Sequence, residues 1–166
     1  SELDKKLVVD AIKSNKVRPL GDQPDISEND VEASERIVGQ MGVGPFVRAL
    51  EGGAEVIIAG RSCDTAIFAS MAVMKGFDLG LAYHMAKIIE CGAQVIEPRE
   101  GQDCVVGTIY EDYFTVEPGH PERKCTRTRV AAHTLYENPS PYYLKEPSGT
   151  LNTSSAVFEQ IDERRV

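Results

Sequence analysis

Hydrophobic positions recur along the chain with a helical period in several separate stretches. Between residues 3 and 13, Leu3, Leu7, Val8, Ala11 and Ile12 fall at i, i+4, i+5, i+8 and i+9, one stripe of an amphipathic helix. A loop follows, punctuated by Pro19, Gly21 and Pro24. Ser27, three residues before Asp30, then predicts the N-cap of a second helix running to about Ile37. The turn Gly39-Gln40-Met41-Gly42-Val43-Gly44-Pro45 predicts a third helix over 46–51, with Pro45 at its first position and Gly52-Gly53 as its stop.

The run Ala54 to Ala59 (AEVIIA) is short, β-branched at its middle and bounded by glycines, the pattern of a strand buried on both faces. Gly60-Arg61-Ser62-Cys63-Asp64-Thr65 turns from it into a helix from about Ala66 to Met74, and Leu79 to Ile89 predicts another that ends at Gly92. The order helix, Gly-Gly, strand, glycine turn, helix predicts an α/β fold, with a parallel sheet and flanking helices over 1–100. Beyond Pro98 the pattern changes. Cys104 to Tyr110 and Tyr113 to Val116 read as a hairpin around Glu111-Asp112, Arg129 to Tyr136 as a short helix, and Ser155 to Gln160 as a last strand. Residues 101–166 therefore read as a smaller α+β portion, with the boundary near 98–103.

Composition narrows the class without naming a function. The chain has 166 residues, enough to bury roughly 70% of its extended surface. Its 18 Lys plus Arg stand against 26 Asp plus Glu, for a net charge of -8. That balance argues against a nucleic-acid or anionic-membrane surface, whose phosphates need neutralising. No apolar run nears the roughly 20 residues of a membrane span and no signal peptide is visible, which predicts a cytoplasmic protein. The four cysteines, Cys63, Cys91, Cys104 and Cys125, lack metal-ligand spacing and predict free thiols, with no metal site. Nothing in the composition specifies a cofactor.

The chemistry concentrates at the turn from Gly60 to Thr65. Ligands of open α/β sheets bind beyond the carboxyl ends of the strands, where this turn is expected. Arg61 suits a carboxylate or phosphate, helped by the amides of the following helix and by Thr65. Asp64 reads equally as an N-cap and as an acid/base group. Gln40 and Gly42 suit the opposite wall of the same crevice, although the glycine spacing around them matches neither dinucleotide nor Walker patterns. Glu90 sits at a helix C-terminus, where the dipole disfavours a carboxylate, and is the second catalytic candidate. Arg123, Lys124, Arg127 and Arg129 form a basic cluster suited to a coenzyme A phosphate or, with more weight, to a solvated face.

With these residues in place, the sequence resembles the acyclic terpene utilisation family. The matching stretches are Val38 to Gly42, Ala59 to Ala66, Ile89 to Gln94 and Ala132 to Asn138, and their order carries the resemblance. Where many members have a Gly pair after the Glu-Cys-Gly-Ala-Gln run, this chain has Val95-Ile96-Glu97-Pro98. The resemblance implies a part in catabolism of terpenoid or branched acyl compounds through coenzyme A thioesters, rather than any one reaction. It also implies an interior piece of a longer protein, and with the ending at Val166 predicts more sheet beyond it and a homo-oligomer formed through an open edge. Two functions follow. One is an enzyme for a small carboxylate or acyl-CoA thioester, with Arg61, Thr65, Gln40 and Gly42 binding and Asp64 and Glu90 catalytic. The other is a non-catalytic scaffold or regulatory module for an acyl-CoA enzyme, docked through the basic cluster.

Overall fold

A computed structural model describes residues 2–99, 101 and 103–166. Its helices are α1 (Lys5–Lys13), α2 (Glu28–Ala33), α3 (Val43–Glu51), α4 (Asp64–Met74), α5 (Leu79–Glu90) and α6 (Arg127–Ala132), with single 3-10 turns at Gly92–Val95 and His133–Leu135. The strands are β1 (Ile96–Glu97), β2 (Val105–Ile109), β3 (Phe114–Pro118), β4 (Lys124–Cys125), β5 (Tyr143–Glu146) and β6 (Gly149–Asn152). They form three two-stranded sheets, β1 with β4, β2 with β3 and β5 with β6, all antiparallel. The chain is thus a small α+β protein, and the expected parallel α/β sheet is absent among the described residues. The expected boundary near 98–103 includes Glu100 and Gln102, which lie outside the described residues.

Residues 54–59 explain the difference. They carry no regular structure and pair with no strand among the described residues, and Val56 and Ile58 stand 79% and 95% exposed. β-branched residues favour an extended backbone, but a strand exists only through partner hydrogen bonds, and propensity cannot supply the partner. The one parallel pairing nearby, an isolated bridge between Met41 and Ser62, falls after the run. Residues 155–160 are likewise irregular rather than a strand. The hairpin after Pro98 is formed by β2 and β3, with Val105 opposite Pro118 and Ile109 opposite Phe114.

Several helix starts follow their local signals, whereas α2 stops at Ala33, short of the expected Ile37. Ser27 caps α2 in a reciprocal pair with Asp30, the Ser27 amide donating to the Asp30 carboxylate at 2.8 Å. Asp78 caps α5 by accepting from the Leu81 amide at 3.0 Å. α3 starts earlier than Pro45 suggested, because Gly42 takes the N-cap and leaves Pro45 in the first turn, where a missing N–H costs nothing.

Helix α5 joins two cores. Tyr83 and Ala86 pack with Val43 and Phe46 of α3, Ala66 and Ala69 of α4, and Leu151 of β6. Ile88 packs instead with Val95, Ile96, Val116, Cys125, Val130 and Val166. Small residues make the first contact close: Ala66, Ala69, Ala82 and Ala86 are fully buried, so the α4–α5 hairpin approaches on its alanine faces. Across the second core, the Val116 amide donates to the Val166 carbonyl at 2.8 Å and the Val166 amide returns a bond at 3.2 Å.

Between α5, β3 and the C-terminal segment, the His84 ring stands edge-on to Phe114 at 5.2 Å and to Phe158 at 5.8 Å between centroids. Burial, then the neighbouring His133, holds His84 down at about 4 from the usual 6.5. The unfolded chain therefore binds the proton more tightly than the native one. His84 adds stability that is complete above pH 6.5 and lost as pH falls towards about 4. The expected loss is roughly 2–3 kcal/mol. Urea unfolding from pH 7 to 4 should show this slope, and His84→Phe should flatten it.

Gly92 sets the distance between the turn after α5 and the hairpin. A Cβ there would lie 2.7 Å from Val105 Cβ, so even alanine must push β2 away. We expect Gly92→Ala to lower unfolding free energy by about 1–3 kcal/mol. An unchanged denaturation midpoint would show that Val105 yields freely.

Candidate functional site

Two helix starts meet at one edge of the first core. The Met41 amide donates to the Arg61 carbonyl at 3.2 Å, and the Cys63 amide donates to the Met41 carbonyl at 2.9 Å. This short parallel pairing lays Gln40, Met41 and Gly42 beside Arg61, Ser62 and Cys63. Gly42 and Cys63 are the N-caps of α3 and α4, and neither residue supplies a side-chain cap. The starts of both helices therefore lie side by side next to Arg61, which is exposed and has no ion-pair or hydrogen-bond partner among the described residues.

The β5–β6 turn closes one side. A Cβ on Gly42 would meet Ser148 Oγ at 3.0 Å and Pro147 Cβ at 3.1 Å, so glycine allows this turn its close approach. The Tyr83 hydroxyl donates to Ser148 Oγ at 2.9 Å. The Cys63 thiol donates to Glu146 Oε2 at 2.7 Å and lies 3.9 Å from Thr65 Oγ1. Burial first, then the Glu146 carboxylate, pushes the Cys63 thiol up to about 11. It is a protonated donor at neutral pH and not a ready nucleophile.

The sequence candidates separate into two places. Gln40, Gly42, Arg61, Asp64 and Thr65 all lie at or within two residues of the paired α3 and α4 starts, with Gln40 and Asp64 exposed and Thr65 buried. Glu90 does not join them. The α4–α5 hairpin carries Asp64 and Glu90 to the same end of the helix pair, yet no hydrogen bond or ion pair links them among the described residues. Glu90 instead pairs with Lys87 at 2.7 Å, and the two side chains are 6% and 12% exposed. Its other oxygen accepts from the Cys91 thiol at 3.0 Å. Lys87 explains why a carboxylate is tolerated at this helix end, a partner visible at i-3 in the sequence.

Around that pair lie Tyr136, whose ring sits 5.8 Å from the Lys87 ammonium, and Glu137, 3.9 Å from it. Burial, then the Glu90 carboxylate, pushes the Cys91 thiol up to about 11. Glu90, Cys91 and Glu137 each place one ligand-type atom within 4.8 Å of the others. Lys87 already neutralises Glu90 there, so a cation would have to displace it. His133 is buried, with neither ring nitrogen hydrogen-bonded.

Glu146, Ser148 and Tyr83 escaped the sequence reading. The available signal was a Pro147-Ser148-Gly149 turn flanked by alternating positions. In the basic cluster, Arg129 pairs with Glu97 at 3.0 Å and Arg123 with Asp103 at 3.3 Å, so these two cations already face carboxylates. All four cysteines are free thiols.

The chain belongs to the acyclic terpene utilisation family: the family described as acyclic terpene utilisation family protein AtuA matches residues 7–101. That match contains the whole of Gln40 to Thr65 as well as Glu90 and Cys91, whereas Glu146 and Glu137 lie outside it. No curated protein and no solved structure matches the chain. Among the described residues, no helix is long and apolar enough to cross a membrane.

The thiol–carboxylate contact makes a measurable prediction. Peptide-resolved alkylation by iodoacetamide at pH 8 should modify Cys63 slowly. Glu146→Gln should speed it by about threefold or more, since removing the charge lowers the thiol pKa. Equal rates in the two proteins would remove Glu146 from the account.

Proposed function

We propose that the crevice between Gln40 and Thr65 binds a small carboxylate or acyl-CoA thioester. The observation that carries this reading is the convergence of the α3 and α4 starts beside the unpaired Arg61. An anion in this place meets a guanidinium able to bind two oxygens, helix amides and two aligned dipoles. Gln40 adds an amide on the facing wall. Asp64, one residue into α4 and open to solvent, is placed to exchange a proton with a group held by Arg61. Glu146, through its contact with Cys63, serves as a nearby carboxylate. Membership of the family supports an acyl compound as the ligand class.

Isothermal titration with isovaleryl-CoA and with isovalerate tests the assignment. Arg61→Ala should weaken binding by roughly 10- to 100-fold, the worth of a charge-assisted contact of about 1.5–3 kcal/mol. Asp64→Asn should retain binding and abolish turnover of the thioester. A folded Arg61→Ala protein that binds both ligands undiminished overturns the reading.

A further inference from the structure

Beside the β5–β6 turn, a pocket of about 340 Å³ opens between the start of α5 and strand β6. Its volume lies within the range of roughly 300–1,000 Å³ occupied by small-molecule sites. Val43, Leu79, Tyr83 and Leu151 supply most of its apolar lining, and Glu146 and Ser148 bring polar groups to it. Both polar residues are within reach of solvent, Ser148 exposed and Glu146 half-buried. Leu79 is 58% exposed, an apolar surface that a guest in this pocket would cover.

The Glu146 carboxylate has no counter-ion among the described residues. Its one hydrogen bond comes from the Cys63 thiol to Oε2 at 2.7 Å, and that donor is uncharged at neutral pH. Oε1 takes no hydrogen bond from any described residue. Lys145, the adjacent cation, is exposed on the opposite face of β5 and does not line the pocket. No lysine or arginine lines it among the described residues. Asp78 adds to the same field: its Oδ1 lies 3.0 Å from where a Cβ on Gly80, a lining residue, would sit. A partly desolvated carboxylate is most stable beside a positive charge, and a concave wall of one sign concentrates the opposite ion. Two residues from Glu146, Ser148 Oγ accepts from the Tyr83 hydroxyl at 2.9 Å. That bond fixes the serine and leaves it a second lone pair for a guest's donor.

We infer that this pocket binds a small organic ammonium ion with an apolar tail, the ammonium donating to Glu146 and Ser148 and the tail covering Val43, Leu79 and Leu151. A primary ammonium carries three donors and one charge, matching an unpaired carboxylate oxygen and a hydroxyl oxygen two residues apart. The site takes a ligand class opposite in charge to that of the Arg61 crevice. It rests on its own residues and stands whether or not that crevice holds an anion.

Isothermal titration of the 166-residue chain at pH 7 with hexylamine, hexan-1-ol and hexanoate tests this. Hexylamine should bind one to one, with hexan-1-ol about tenfold weaker or more and hexanoate weaker still. Glu146→Gln should weaken hexylamine binding about tenfold or more, the worth of a charge-assisted contact. Glu159→Gln removes an exposed carboxylate outside the pocket and should leave the affinity unchanged, which separates the site from general attraction to a net charge of -8. Should Glu146→Gln fail to fold, the 13C resonance of Glu146 Cδ in the unsubstituted protein decides, moving as hexylamine saturates. Absence of saturable hexylamine binding overturns the inference, as does an unmoved Cδ resonance at saturation. Equal affinity for hexan-1-ol, equal affinity in a folded Glu146→Gln, or the same loss in Glu159→Gln overturns it too.

Discussion

Helix α5 has to satisfy two cores at once, and the rest of the structure follows from how it does so. Its Ala82 and Ala86 lie against the small residues of α4, which lets the helix axes come close. Its Met85 and Ile89 face the hairpin, where Gly107 takes their side chains: a Cβ there would lie 2.9 Å from Met85 Sδ and 3.2 Å from Ile89 Cγ2. A helix packed on two sides has little freedom to rotate, since interiors are filled to crystal-like density. The turn after it is pinned equally tightly, through Gly92 against Val105. Displacing α5 would therefore disturb both halves of the molecule.

The side-by-side start of α3 and α4 is a by-product of the same packing. α3 and α4 lie against one another and bury Phe46, Ala66 and Ala69 in one core. Their starts are held level by the two backbone bonds at Met41. Nothing in either N-cap side chain, a glycine and a cysteine, satisfies the first-turn amides, as serine or aspartate would. At Ser27, Asp78 and Thr126 the same chain caps its helices with side chains. The contrast singles out the α3 and α4 starts as the two whose first-turn amides receive no side-chain cap, and Arg61 lies beside them.

What was legible in the sequence is what local physics controls. The periodicity from Leu79 to Ile89 gives α5 almost residue for residue, and the Glu111-Asp112 turn gives the hairpin. Gln40, Gly42 and the Arg61 turn were legible as glycine-rich turns leading into helices. Ala54 to Ala59 was not, because its glycine-bounded apolar pattern reports a preference for extension and is silent about a partner. Glu146 was not legible for a similar reason. It comes 83 residues after Cys63, and nothing in its own neighbourhood marks the approach. The setting of Glu90 was legible only in part: its place at the helix end was read, while Lys87, three residues earlier, turns the unfavourable charge into a buried pair.

Three contacts hang from α5: Tyr83 reaches Ser148, His84 stands edge-on to Phe114 and Phe158, and Lys87 holds Glu90. At about 100° per residue, Tyr83 and His84 leave the helix in different directions, so neighbouring residues of one helix serve two different surroundings. Proximity of this kind does not amount to communication. Coupling requires an element with two arrangements, and close packing of alanine against α4 and of Gly107 against Met85 and Ile89 leaves α5 little room for a second one.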